Sequence, residues 1–459
     1  MTIIAERASV TTNETAIGPR APAAPPGWPA AEPRSRRAAA WHAVFAVYAG
    51  AVAVFSGPGH DRSWGIWASF GYAAAAVIAA RWPTRRGQRA ALAASLAGAL
   101  AAPVIWLATQ APATPDVAVV TRSAALLLHH GSPYLPLAQL THGGFLAYNP
   151  YLPVMAVFGL PRALGLPGLA GDPRPWLAAV TFLLLATAFR IALGDRAWTG
   201  RSLRLAAFAV ASPVLAFPLA EGITDPPVLA LTCLALALLA GRARSAARPG
   251  AWLAPGAWCA AVTVAVACAM KYTAWPAVVV LTAMVAAQEG ARAAARFAAT
   301  AVGVAAVLTV ALAPAALAAP ASLIRNTLAY PLGLTRVRTP AQSPLPGHVL
   351  ASLGPAGQLA AIALLVTAGL GIAASLVTRP PADGAAAARR LALGLALMFA
   401  LSPATRFGYL AYPAGLYGWL ALTGQAITPG RLVPRMRAAA DSVRSWLSRR
   451  ALSGEQARA

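Results

Sequence analysis

Asp116 is the residue of this 459-residue chain whose surroundings best suit acid–base chemistry. It is the only acidic residue between Asp61 and Asp172, and it follows Thr114 and Pro115, a pair typical of a helix N-cap and first helical position. A carboxylate fixed at a helix start can take a proton from a hydroxyl group, which is the role of a general base. Alternatively, Asp116 only stabilises the helix N-terminus through the helix dipole. The local sequence leaves both roles open.

Metal chemistry is not expected from the histidines of the same region. His129, His130 and His142 follow Asp116, but the adjacent pair lacks the one-turn spacing that brings two imidazoles to one helix face. No cysteine or second carboxylate accompanies them. We therefore interpret them as solvated loop residues and predict neither a metal nor another cofactor.

Membrane-spanning helices must position these residues. The chain is 58% hydrophobic and only 11% charged, whereas a soluble protein of this size carries about twice that charge. Apolar runs such as Ala90–Ala108 and Trp176–Leu193 are long enough to cross a hydrocarbon layer of ~30 Å. This composition excludes a soluble enzyme, a fibrous protein and a disordered chain. No Gly-x-x-x-x-Gly-Lys-Ser/Thr sequence occurs, which argues against an ATP-driven pump.

The apolar runs predict an all-α polytopic membrane protein with about twelve spans. Residues 1–38, rich in Pro, Ala and Arg, predict a disordered cytoplasmic leader, and residues 426–459 a basic cytoplasmic tail. The predicted helices are 41–56, 64–80, 90–108, 176–193, 204–220, 226–241, 252–270, 273–288, 298–319, 353–377, 391–402 and 408–424.

Topology explains the net charge of +24. If the apolar segment 151–166 does not cross, 28 of the 37 Lys and Arg residues lie in cytoplasmic segments and 9 lie outside; if it crosses, 21 lie outside. The positive-inside rule favours the first arrangement. Residues 151–166 are therefore predicted to form a helix on the outer face of a plasma-membrane protein with both termini in the cytoplasm. The arginines are scattered over short loops, which argues against a nucleic-acid partner.

Several of the nine outer cations are candidates for binding an anion. Lys271, the only lysine, lies at a predicted outer helix end, against the positive-inside trend. Arg336 and Arg338 belong to an outer segment without acidic residues, and Arg406 lies between two apolar spans. Guanidinium groups without a nearby carboxylate suit a phosphodiester. The alternatives are contacts with anionic lipid headgroups and, for Lys271, snorkelling from a helix end.

Three further outer residues have two interpretations each. Asp225 precedes Pro226 and Pro227, which favours a helix cap; its other role would be a hydrogen bond to a substrate hydroxyl or the orientation of a nearby arginine. Tyr148 and Asn149 are either substrate contacts or parts of an interfacial turn.

The order of these motifs resembles that of glycosyltransferase family 87, in the GT-C superfamily of polyprenol-phosphate-sugar-dependent integral membrane glycosyltransferases. The resemblance covers roughly residues 41–425, and it rests on the order and spacing of short motifs. These are Asp116, Gly131-Ser-Pro-Tyr134, Tyr148-Asn-Pro-Tyr-Leu-Pro153, Gly222-Ile-Thr-Asp-Pro-Pro227, Met270-Lys-Tyr-Thr-Ala-Trp275, Pro331-Leu-Gly-Leu334, Ser343-Pro-Leu-Pro-Gly-His348 and Ala404-Thr-Arg-Phe-Gly-Tyr409.

The resemblance implies a GT-C-like catalytic domain over residues 39–425, with amphipathic helices in an outer catalytic loop, 109–175, and a second outer loop, 320–352. It implies inverting transfer of a sugar, such as mannose, from polyprenyl phosphate to an extracytoplasmic lipid or glycan. Asp116 matches the catalytic base. The expected substrate-binding residues are Lys271, Arg336, Arg338, His348, Arg406, Asp225, Tyr148 and Asn149.

One departure from the superfamily leaves a second candidate base. Two predicted spans precede the loop of Asp116, whereas the superfamily usually has its base after the first span. Asp61 is therefore an alternative, although the loop 57–63 is short for enclosing a sugar.

An alternative function is that of a transporter or lipid flippase, which would also have about twelve spans. A third hypothesis is a non-catalytic scaffold for envelope assembly. Transporters tend to have repeated halves and ionisable residues at mid-membrane. This sequence has no clear internal repeat, and its charges concentrate at the outer helix ends, which favours an interfacial enzyme.

Overall fold

A computed structural model describes residues 32–110, 112–140, 143–194, 198, 200–242 and 255–425. Within these ranges the secondary structure is helical, without a β-strand. The first helix begins at Glu32, inside the segment assigned to the leader. The rest of the predicted leader, residues 1–31, and the predicted tail, 426–459, lie outside the described residues.

The longer helices follow the apolar runs of the sequence, and every one of the twelve predicted segments is largely helical. The third helix contains a π-helical turn at Ala97–Ala101. These helices are α1 (Glu32–Phe55), α2 (His60–Arg81), α3 (Arg85–Gln110), α4 (Pro115–His130), α5 (Pro173–Leu193), α6 (Gly200–Ala211), α7 (Pro213–Glu221), α8 (Asp225–Arg242), α9 (Pro255–Met270), α10 (Trp275–Glu289), α11 (Ala291–Leu312), α12 (Pro355–Thr378), α13 (Gly384–Leu401) and α14 (Ala411–Leu422).

The number of helices able to cross a membrane is smaller than the sequence predicts. Seven described helices are long and apolar enough, namely α1, α2, α3, α5, α11, α12 and α13. The bent pair of α6 and α7 raises the number to eight if it forms one span, and the apolar helices α8 and α9 are shorter. The protein is therefore a helical membrane protein, and a count of twelve spans is not confirmed.

The predicted span 204–220 is not one straight helix. It breaks at Ser212, and α6 and α7 meet there at 65°. The cause is Pro213, which lacks a backbone N–H and disfavours the helical conformation in the residue before it. Because of the bend, α7 ends in a buried turn, Glu221–Thr224, which leads directly into Asp225.

The segment 151–166 contains no helix long enough to cross a membrane, and the prediction of one helix over these residues is wrong. It forms two short helical turns, Pro153–Gly159 and Leu160–Ala163, each with a proline in its first turn. The segment packs against neighbouring elements: the N–H of Leu152 donates to the carbonyl of Met270 at 3.0 Å. This contact connects the first predicted outer loop to the end of α9.

Small residues allow close helix packing throughout the fold. The largest buried cluster joins side chains of α5, α8, α9, α10, α13 and α14. At the crossing of α2 and α3, a methyl group on Gly71 would lie 2.6 Å from Cα of Gly98, so both positions require glycine. Close backbone approach of this kind is a main source of helix association in lipid, where apolar burial alone drives little.

Candidate functional site

Residues from six separate segments converge on one cleft. It encloses about 840 Å³ of empty space, part of which is open to the surroundings. Its lining comes from the start of α4, residues 145–151, the start of α8, the α9–α10 junction, residues around Tyr330 and residues around Arg406. Both predicted outer loops thus contribute to one site.

Asp116 lies in this cleft because α4 begins where the sequence predicts. The hydroxyl of Thr114 accepts a hydrogen bond from the N–H of Val117, and Pro115 occupies the first turn. The Thr114 hydroxyl also donates to the carbonyl of Glu221 at 2.7 Å. The N-cap thereby fixes α4, and Asp116 with it, to the turn that precedes α8.

Both carboxylate oxygens of Asp116 have partners. The Tyr151 hydroxyl donates to Oδ1, and Nη1 of Arg406 lies 3.5 Å from Oδ2. The Asp116 side chain is 12% exposed, and that of Arg406 is 34% exposed. The expectation that Arg406 lacks a carboxylate partner is wrong, because the pairing crosses between the two halves of the chain.

Lys271 is also paired, with Asp225. Its Nζ lies 2.5 Å from Oδ1 of Asp225, and both side chains are buried. The ammonium also lies 5.4 Å from the ring centre of Tyr151 and 5.3 Å from that of Tyr409, distances suited to cation–π attraction. These contacts explain why this cation tolerates burial. Asp225 is the first residue of α8, and its basic partner is Lys271 and not the arginine that the sequence suggests.

The charged side chains that line the cleft form two opposite-charge pairs. They are Asp116 with Arg406 and Asp225 with Lys271, and together they carry no net charge. An incoming phosphate would therefore have to draw a cation from an existing partner. The guanidinium of Arg406 is better placed for this than the buried ammonium of Lys271, because it is partly exposed and its ion pair is longer.

Tyr151 contacts both ion pairs, although it is not among the site residues predicted from the sequence. Its hydroxyl contacts Asp116 and its ring faces Lys271. Burial and then the negative charge of Asp116 raise the pKa of Tyr151 well above its ordinary value, so the phenol stays protonated and donates to the carboxylate. Burial likewise raises the pKa of Tyr409. The only sequence sign of this role is the position of Tyr151 inside the Tyr148–Pro153 motif.

Tyr148 and Asn149 connect the two predicted outer loops. The Tyr148 ring lines the cleft and stacks on that of Tyr330 with centroids 4.3 Å apart. The backbone N–H of Asn149 donates to Oδ1 of Asn326 at 2.7 Å, and its side-chain Oδ1 accepts from the N–H of Tyr151 at 3.0 Å. Asn149 does not line the cleft. Its geometry is that of a residue that positions Tyr151, and direct contact with a substrate stays a prediction.

The remaining predicted residues lie outside the cleft. Arg336 and Arg338 are exposed, and Arg338 and His348 line a second cavity. Asp61 is exposed in the first turn of α2 and does not line the cleft. The predicted cluster of four basic residues around one phosphate therefore reduces to Lys271 and Arg406.

A second buried ion pair packs against the turn that precedes α8. Its residues are not among those predicted from the sequence. Arg174, at the start of α5, is buried and pairs with Asp172 at 3.0 Å. Its side chain packs against Gly222, whose left-handed conformation leaves no room for a methyl group beside Val117 of α4. Arg174 thus helps hold the Glu221–Thr224 turn against the helix of Asp116.

The described residues contain no group of three or more His, Cys, Asp or Glu side chains arranged to hold a metal ion. His142 lies outside the described residues, and His129 and His130 end α4, away from the cleft.

If the cleft carries out the sugar transfer that the sequence resemblance implies, changing Tyr151 to Phe is expected to lower kcat about tenfold without changing KM for the donor. The variant keeps the ring beside Lys271 and loses only the hydroxyl bond to Asp116, and hydrogen bonds to charged groups contribute about 1.5–3 kcal/mol. The measurement is the steady-state rate of the purified protein with each substrate varied in turn. Tyr72→Phe is the matched control, because it removes a buried hydroxyl bond to Ala211 away from the cleft. Equal rates for the two variants would show that the Tyr151 hydroxyl does not contribute to the reaction.

Comparisons with known proteins identify no relative: no family model matches the chain, and no curated protein or solved structure is significantly similar to it.

Proposed function

We propose that this protein is an integral membrane glycosyltransferase of the GT-C type. In this proposal it transfers a sugar, for which mannose is the first candidate, from a polyprenyl-phosphate donor to an extracytoplasmic lipid or glycan acceptor. The observation that carries the proposal is the convergence of Asp116, Arg406, Lys271 and Asp225 on one cleft, reached from several distant parts of the chain. The plasma membrane is the proposed location, with the cleft outside and both termini inside.

The first step of the proposed mechanism is an exchange of partners at Arg406. Each oxygen of Asp116 already has one partner, so an acceptor hydroxyl competes with Tyr151 and Arg406 for the carboxylate. A donor phosphate binds guanidinium groups bidentately and competes for Arg406. Donor binding would then free Oδ2 of Asp116 at the time when the acceptor hydroxyl needs it.

The second step is a single inverting displacement. Asp116 takes the proton of the acceptor hydroxyl, whose oxygen forms a bond to the anomeric carbon. The bond from that carbon to the phosphate oxygen breaks, and polyprenyl phosphate leaves with the electron pair. One negative charge passes from Asp116 to the phosphate, so the charge of the site is conserved. Arg406 and Lys271 lie close to the negative charge at both stages, which is the electrostatic stabilisation that such a transfer requires.

The charge distribution favours an enzyme over a transporter. The two ion pairs of the cleft lie at helix ends and in connecting segments, which the proposed topology puts at the outer face, whereas transporters bind their substrates near the midplane.

A transfer assay tests the proposal directly. Purified protein in detergent is incubated with radiolabelled polyprenyl-phosphate mannose and envelope lipids and glycans extracted from cells. The expected result is donor consumption together with label in an acceptor, without an added metal ion. If no polyprenyl-phosphate sugar is consumed while reconstituted vesicles move a lipid or solute, the transporter reading replaces this one.

A further inference from the structure

A second cavity lies directly beside the cleft. It encloses about 1110 Å³ of empty space, partly open, between the second outer loop and the start of α12. The two cavities share Thr339, Ala341 and Ala404 as lining residues, so they lie on two sides of one thin wall.

Two paired extended segments build that wall. The N–H of Thr405 donates to the carbonyl of Ala341 at 3.0 Å, and the N–H of Ser343 donates to the carbonyl of Thr405 at 2.9 Å. Arg406, next along the chain, lines the cleft, whereas Arg338 lines the second cavity. This division explains why Arg338 and His348 do not join the phosphate-binding candidates.

The lining of the second cavity differs chemically from that of the cleft. Among its described lining residues there is no carboxylate, and Arg338 is the only Arg or Lys. Amides and hydroxyls supply most of the other polar groups, for example Gln342, Gln358 and Ser352. Such neutral groups both donate and accept hydrogen bonds, which suits a ligand rich in hydroxyls.

His348 adds a directed acceptor to this lining. Its Nδ1 lies 2.9 Å from the carbonyl oxygen of Pro403, and a carbonyl only accepts, so Nδ1 carries the proton. In the neutral ring Nε2 is then an acceptor, and the ring borders the cavity. A sugar hydroxyl is a fitting donor for it.

We propose that the second cavity binds the glycan part of the acceptor, next to the sugar unit whose hydroxyl is presented to Asp116. The inference rests on the proposed function and narrows it: the acceptor is an oligosaccharide or a glycan chain, since a simple lipid alcohol or a single sugar would leave this cavity empty. Donor binding depends on Arg406 and Lys271. The side chains that line the second cavity make the affinity for the acceptor depend on its length.

Acceptor length is the variable that tests this subsite. Neutral hexose oligosaccharides of increasing length, from one unit upward, serve as acceptors with a fixed excess of polyprenyl-phosphate sugar. For the wild type, KM for the acceptor is expected to fall with length while kcat stays constant. Gln358→Leu and Arg338→Leu should raise KM for the longer acceptors about threefold to tenfold, the effect of losing one hydrogen bond, and leave the single sugar unaffected.

Arg336→Leu is the matched control, because Arg336 is exposed, lies two residues from Arg338 and lines neither cavity. A KM independent of acceptor length, or the same KM increase for Arg336→Leu and Arg338→Leu, would overturn the subsite. Should Gln358→Leu unfold, Gln358→Asn shortens the amide and keeps its polarity.

Direct binding separates the two proposals. Saturation-transfer NMR of the longest oligosaccharide with the wild type and Gln358→Leu needs no turnover. Wild-type binding that weakens in the variant, without any sugar transfer, would support the subsite and refute the glycosyltransferase. Sugar transfer that proceeds equally with short and long acceptors would support the glycosyltransferase and refute the subsite.

Discussion

Asp116→Asn is expected to lower kcat by about 10²–10⁴-fold, the usual contribution of a positioned general base. The amide keeps the shape of the carboxylate and can still accept the hydroxyl bond of Tyr151, but it cannot take a proton. Because the substitution also removes the partner of Arg406, donor binding should be unchanged or tighter. A loss in kcat without a loss in donor affinity is therefore the expected signature.

Single-turnover rates with labelled donor, together with the Kd of a non-hydrolysable donor analogue, measure the two quantities separately. Asp61→Asn completes the experiment, because Asp61 is exposed and does not line the cleft. If Asp116→Asn transfers sugar as fast as the wild type, Asp116 is not the base. A loss confined to Asp61→Asn would transfer that role to Asp61 and require the first two spans to rearrange.

The secondary structure could be predicted from local sequence, because a helix in lipid is encoded by an apolar run and by its ends. Thr114 and Pro115 predict the start of α4 from neighbouring residues alone, and the cap forms as expected. Which helices span the membrane is harder to predict, because a helix of the right composition can still be too short or bent. Pro213, for example, bends the segment around Ser212.

The pairing of charges could not be predicted in the same way. Asp116 and Arg406 are 290 residues apart, and no local pattern links them. The positive-inside rule assigns residues to a side of the membrane, but it does not say which outer residues meet. Residue type alone groups Arg338 with Arg406, whereas the Ala341–Thr405 pairing places them in different cavities.

The Lys271–Asp225 pair was partly predictable. Both residues lie at predicted outer ends of helices that are close in sequence, and a cation there against the positive-inside trend needs a partner. The sequence alone suggests a lipid phosphate as the partner of Lys271. The 2.5 Å contact with Asp225 instead makes Lys271 part of the interior, and this has a consequence for stability.

Lys271→Met is expected to destabilise the protein by about 3–5 kcal/mol, the usual cost of leaving one member of a buried ion pair alone. The Asp225 carboxylate would remain buried without its cation and its shortest hydrogen bond. The double variant Lys271→Met/Asp225→Asn should recover most of that loss, because it removes both charges and leaves a neutral amide. Thermal unfolding midpoints in one detergent compare the two variants with the wild type.

The double variant is expected to regain stability but not affinity for the donor phosphate. If Lys271 contributes to the phosphate site, the double variant folds well and still binds polyprenyl phosphate more weakly than the wild type, because one of two cations is missing. Asp225→Asn alone is the control: it removes the partner of Lys271 and leaves the ammonium available, so its affinity for the phosphate should not fall. Wild-type affinity in the stable double variant would mean that Lys271 serves only the fold, and that Arg406 alone binds the donor phosphate.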